Sequence, residues 1–146
     1  MKIYRYRFDK DTDYYIKLSL EDYTGKSFPF EIERTTLGKP TVKNFPGLFV
    51  GAAHTKDTIL VGVSDNNFGI DAEFSNREIP NKVIDYAFTK EELLNDKPLD
   101  LWVKKEAYVK FMGSTMLNIK NIDITTFKGS FKKLAFPDLI AYVYEE

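Results

Sequence analysis

Two short stretches of this 146-residue chain carry charged side chains where packing alone would not place them. They are Phe68-Gly-Ile-Asp-Ala-Glu-Phe74 and Trp102-Val-Lys-Lys-Glu-Ala-Tyr-Val-Lys110. As a strand, the first puts Phe68, Ile70, Ala72 and Phe74 on one face, and Gly69, Asp71 and Glu73 on the other. As a helix turning about 100° per residue, the second gathers Leu101, Trp102, Tyr108, Val109 and Met112 into one apolar arc. Lys105 falls in the middle of that arc and Glu106 at its edge. An unpaired charge there is costly to bury, so the pair requires a metal, a phosphate or another side chain as partner. Three carboxylates drawn from a strand and a helix, Asp71, Glu73 and Glu106, suit Mg²⁺, a hard cation that prefers oxygen ligands and is commonly shared with substrate phosphates. Such an ion relieves the repulsion among the acids and polarises a phosphate oxygen, so the pattern points to metal-assisted phosphoryl transfer. The plainer alternative is a solvated strand face beside helix lysines whose stems lie along the surface.

Composition narrows the class. A hydrophobic content of 43% with 15% aromatic residues is enough for a packed domain. The formal net charge of −1 offers no basic footprint for nucleic acid. With no cysteine and a single histidine, His54, neither disulfides nor a zinc centre can form. No apolar run reaches the length of a membrane span, and Met1 to Arg7 alternates like a strand instead of resembling a secretion signal. A cytoplasmic protein with neither membrane nor nucleic-acid partner is expected.

The elements that must position the charged residues follow from pattern and punctuation. Residues 2–8 alternate as a strand. Thr12 or Asp13 caps a helix running to about Tyr23 and closed by Gly25. Phe28 to Arg34 reads as extended, and Leu37-Gly-Lys-Pro40 as a turn. Strands are predicted at 48–53 and 58–64, with Ser64-Asp-Asn-Asn67 as a hairpin turn into the 68–74 strand. Pro80 to Asn95 is helical with a break at Thr89, a suitable N-cap before Glu91 and Glu92. A helix from Pro98 to Gly113 carries Lys105 and Glu106. Residues 119–145 read as three short strands. The order predicts an α+β fold of two similar lobes, about 1–64 and 65–146, within one domain.

Taken in order, Gly38-Lys39-Pro40, Ala53-His54-Thr55, Gly69-Ile-Asp71-Ala-Glu73 and Trp102-Val-Lys-Lys105-Glu106-Ala-Tyr-Val-Lys110 resemble the 4'-phosphopantetheinyl transferases. The likeness is to a shortened form of the two-lobed type that serves peptide and polyketide synthases, and it spans about residues 36–117. It implies two pseudo-symmetric lobes with the active site between them, in a monomer. It also implies transfer of 4'-phosphopantetheine from coenzyme A to a serine of an acyl or peptidyl carrier protein. On the resemblance, Asp71, Glu73 and Glu106 hold Mg²⁺, and Glu106 helps remove the serine proton. Lys110 contacts phosphate and stabilises transition-state charge, while Lys39, His54 and Thr55 bind coenzyme A. Lys105 matches the motif lysine, at the cofactor or in positioning Glu106.

The chain also departs from that pattern. Val50-Gly-Ala-Ala-His-Thr55 lacks the polar Asn and Ser that usually precede the histidine, and keeps His54. Gly113-Ser-Thr-Met116 lacks a common lysine, and the first lobe is short, with no match for the arginine that usually contacts coenzyme A from its helix. These departures support a competing reading, a non-catalytic homologue that binds coenzyme A or a carrier protein. Phe111, Met116 and Leu117 suggest an apolar docking patch for the carrier, with packing against the C-terminal strands as the alternative.

Overall fold

A computed structural model describes residues 1–114 and 116–146, and all of their side chains except those of residues 116–118. It is a mixed α+β fold. The first sheet has the order β1 (Lys2–Arg7), β5 (Thr58–Ser64), β4 (Phe49–Thr55), and the second the order β6 (Gly69–Phe74), β8 (Leu139–Glu145), β7 (Ser130–Lys133). All four strand pairings in these sheets are antiparallel. In each sheet the first strand in sequence pairs with the last, and the last pairs with the one before it. The helices lie between the first strand and the other two: α1 (Thr12–Thr24) in the first unit, and α2 (Asn81–Ala87), α3 (Lys90–Asn95) and α4 (Pro98–Met112) in the second. The connectivity therefore repeats although no residue-level repeat is visible.

Period-two geometry decides the layers. Ile59, Val61 and Val63 of β5 join Tyr15, Ile16 and Leu20 of α1 in one apolar cluster. Leu60, pointing the other way, joins Phe68 just before β6, Ile70 and Ala72 of β6, and Leu139, Ala141 and Val143 of β8 in another. Each sheet thus turns one face to its own helix and the other to its neighbouring sheet. That is why β5 is buried along its whole length.

Several expectations change in detail. Asp11, not Thr12 or Asp13, caps α1, its side chain accepting from the Tyr14 amide. The extended stretch before Arg34 contracts to β2 (Ile32–Arg34), which pairs with β3 (Pro40–Val42), a strand too short for alternation to reveal. Ser64–Asn67 is not a hairpin turn, because β5 and β6 belong to different sheets and the chain there crosses from one to the other. Only two strands, β7 and β8, lie in the C-terminal stretch; Met116–Asn121 and Ile124–Thr126 are 3₁₀ turns. Thr89 does cap α3, in a reciprocal capping box with Glu92. Among the described residues, no helix is long and apolar enough to cross a membrane.

Candidate metal centre and anion pocket

Asp71 and Glu73 sit on the face of β6 that lies under α4, so this is not a solvated strand face. The approach is made possible by Gly69, where an added Cβ would stand 1.9 Å from the carbonyl oxygen of Ala107. Backbone-to-backbone contact at that point brings Glu106, on α4, over the strand. One carboxylate oxygen from each of Asp71, Glu73 and Glu106 then falls within 4.8 Å of the others. Asp71 is 4% exposed, and its Oδ2 is buried without a hydrogen-bond partner. Its Oδ1 takes an ion pair from Lys110 Nζ at 2.8 Å. Glu73 is paired with Arg77.

Crowded acids hold their protons. The Glu106 carboxyl is pushed up to about 8, first by burial and then by the negative charge of Asp71, with Lys110 opposing. Burial also raises Glu73, against the pull of Arg77. Three carboxylates, one with an orphaned buried oxygen, fit a hard divalent cation: the donors are all oxygen, and positive charge at their centre removes the repulsion that favours protonation.

Glu106 and Lys110 also line a cavity of about 420 Å³, walled by Phe68, Gly69, Ile70 and α4 of the second unit and by residues of the first. Lys39 reaches it from the β2–β3 turn, His54 from β4 and Arg34 from β2, so four cationic or titratable basic side chains surround one space. None is idle. Lys39 Nζ donates to Asn67 Oδ1 at 2.6 Å and to the Phe111 carbonyl in the last turn of α4 at 2.8 Å. Burial holds its ammonium below the usual lysine range. It is therefore not a plain solvated turn residue. Arg34 is paired with Asp13 at 2.6 Å, and Lys110 also donates to the Ala52 carbonyl at 3.3 Å. His54 is exposed and lies against the Phe8 ring, 4.7 Å between centroids.

Two expected site residues are not brought there. Thr55 ends β4 opposite Thr58, outside the cavity lining. Lys105 is fully buried, with Nζ donating to the Ala87 carbonyl at 2.6 Å and to Glu92 Oε1 at 2.9 Å. Glu92 has no exposed surface on its side chain either, and its Oε2 accepts from the Ile124 amide. The required partner is thus another side chain. Lys105 ties α4 to α2 and α3 and does not line the cavity. The helical projection misled because α4 is covered on two sides. Leu101 packs in a cluster with Ala87, Phe88 and Ile119, while Asp100 accepts from Tyr142 Oη of β8 at 2.7 Å and Ala107 meets β6. Met112, assigned to the apolar arc, is 57% exposed. Phe111 packs against the Tyr108 and Tyr144 rings, at centroid distances of 6.5 and 5.0 Å. That is the packing alternative in part, with Phe111 half-buried against β8. The side chains of Met116 and Leu117 lie outside the described residues.

Sequence reasoning missed Arg34, one exposed charge among many until the β2–β3 hairpin sets it on the cavity lining, still exposed and paired with Asp13. It also passed over the purpose of Gly69, for which a signal existed: glycine inside a strand marks close backbone approach. The sequence matches no protein-family model, and no curated protein matches it either.

Proposed function

We propose that this protein is a Mg²⁺-dependent 4'-phosphopantetheinyl transferase of a shortened two-lobed type, acting from coenzyme A onto a serine of an acyl or peptidyl carrier protein. The observation that carries this reading is the convergence of Asp71, Glu73 and Glu106 at the edge of a cavity walled by Lys39, His54, Arg34 and Lys110. The repeated strand–helix–strand–strand connectivity supports the two-lobed architecture, and one chain supplying both halves supports a monomer in the cytoplasm.

Mg²⁺ bound by the three carboxylates would supply the charge that polarises the pyrophosphate oxygens. The chain's own groups do the rest. Arg34, Lys39 and His54 hold the phosphates of coenzyme A, with charge-assisted hydrogen bonds fixing their place. Lys110 leaves Asp71 for the charge that builds on the transferred phosphoryl group. The carrier's serine oxygen forms a bond to the phosphorus bearing pantetheine, and the bond from that phosphorus to the adenylate oxygen breaks, releasing adenosine 3',5'-bisphosphate. Glu106 takes the serine proton, directly or through water.

Incubation with coenzyme A, Mg²⁺ and a panel of apo carrier proteins tests the reading through the mass gained by the carrier. Wild type should modify at least one carrier, and Asp71→Ala and Glu106→Gln should abolish the gain while remaining folded. Full activity in both variants removes the metal-site assignment. Binding of apo carrier without modification, whatever carrier or divalent ion is supplied, moves the function to the non-catalytic homologue. That second reading is favoured by the apolar wall of Val50, Gly51 and Ala52 and by the prior commitment of Lys39 to Asn67 and Phe111.

A further inference from the structure

Two cations of this chain neutralise the three carboxylates, and they stand differently. Lys110 lines the anion cavity, where an arriving phosphate can take it from Asp71. Arg77 does not line that cavity. It borders an open groove with Ile79, Leu94 and Tyr142, and its guanidinium pairs with Oε1 of Glu73. The same guanidinium lies 5.6 Å from the ring centroid of Trp102, which precedes Glu106 by one turn of α4. Arg77 thus already lies beside Trp102 while paired with Glu73, and it is 41% exposed, so giving up Glu73 leaves it both a partner and access to water.

We propose that Arg77 is a tethered competitor of the divalent cation, pairing with Glu73 in the absence of the ion and resting on the Trp102 face alone when the ion binds. The inference rests on the metal-site reading above. A glutamate oxygen in close contact with a guanidinium cannot at the same time give its full charge to a metal, and a fixed positive charge beside the site repels a second one. Arg77 touches neither substrate nor reacting atoms; it sets how readily the site fills. An exposed ion pair of this kind is worth a factor of about two to five in an equilibrium constant.

Trp102 is the only tryptophan, so its fluorescence reports the exchange. The full chain without coenzyme A is titrated with Mn²⁺, following the free ion by electron paramagnetic resonance, and with Mg²⁺, following tryptophan emission. Arg77→Ala and Arg77→Gln should bind Mn²⁺ about two- to fivefold more tightly than wild type, with Arg77→Lys near wild type. Mg²⁺ should shift the emission of wild type but not of Arg77→Ala. Equal or weaker Mn²⁺ binding in both Arg77→Ala and Arg77→Gln overturns the inference, since a residue that merely positions Glu73 would weaken the site when removed. Asp71→Ala separates the two layers of the argument. If it binds Mn²⁺ as wild type does, or if wild type binds none, the metal site itself fails and Arg77 is simply the standing counter-ion of Glu73.

Discussion

Glu106 meets its proton and its proposed metal ion at the same oxygens. Its carboxyl titrates near 8 in the folded chain against an ordinary value of 4.5. The folded state therefore keeps a proton that the unfolded chain gives up earlier. Stability from this group is fully present below pH 4.5 and is lost as pH rises through about 8. Without divalent ions, the melting temperature should fall across that window, and Glu106→Gln should flatten the fall. Added Mg²⁺ should reverse the trend, because ion and proton compete for the carboxylate and the ion's stabilisation grows as the proton leaves. Melts followed by circular dichroism, with and without Mg²⁺, check both signs. A pH slope unchanged by Glu106→Gln would place the titrating group elsewhere. Lys105 shows the same physics resolved differently: a charge with no access to water, held by an ion pair and a carbonyl, serves α4's packing instead of chemistry.

At the scale of elements, the site depends on how closely α4 lies on β6. Lys39 and Asn67 converge on the Phe111 carbonyl at one end of the helix, the Tyr142–Asp100 bond holds the other, and Gly69 sets the gap between. Gly69→Ala forces a methyl into backbone that has no side chain to swing aside. It should destabilise the fold by about 1–3 kcal/mol or more, and it should weaken Mg²⁺ binding in calorimetry by lifting Glu106 and Lys110 from Asp71. Gly51→Ala is the control, since its Cβ would meet the Phe68 ring at 3.0 Å, a side chain able to yield. That variant should cost less and leave metal binding intact. Equal effects from the two would mean that the Gly69 contact does not set the site.

For the whole molecule, the cavity draws its cations from strands and turns of the first unit and its carboxylates and Lys110 from the second. Neither half alone provides both the anion cradle and the metal centre. If Arg34, Lys39 and His54 hold coenzyme A phosphates, dephospho-coenzyme A, which lacks the 3'-phosphate, should bind more weakly. The double variant Lys39→Ala/His54→Ala and the single variant Arg34→Ala should each lose about tenfold in coenzyme A affinity by calorimetry, the scale of one charged hydrogen bond. Unchanged affinity in all of them would count against this cavity as the cofactor pocket.

Much of this was legible from residue order. The apolar run from 58 to 64, the alternation from 68 to 74, the Thr89 cap with Glu92, the helix between Pro98 and Gly113, and the candidate metal triad were all readable, because period and capping are local properties of the chain. What the sequence by itself determined was which elements form and which carboxylates they carry. The tertiary structure alone decided the rest. It placed β5 and β6 in separate sheets, because a strand's partners are chosen by long-range pairing that the turn between them does not encode. It covered α4 on two sides, which sent Lys105 to Glu92 and away from the cavity, a choice invisible to a projection that assumes one buried face. It also brought Arg34 to the cavity lining and onto Asp13, since an exposed charge finds such a partner only when distant segments are folded together.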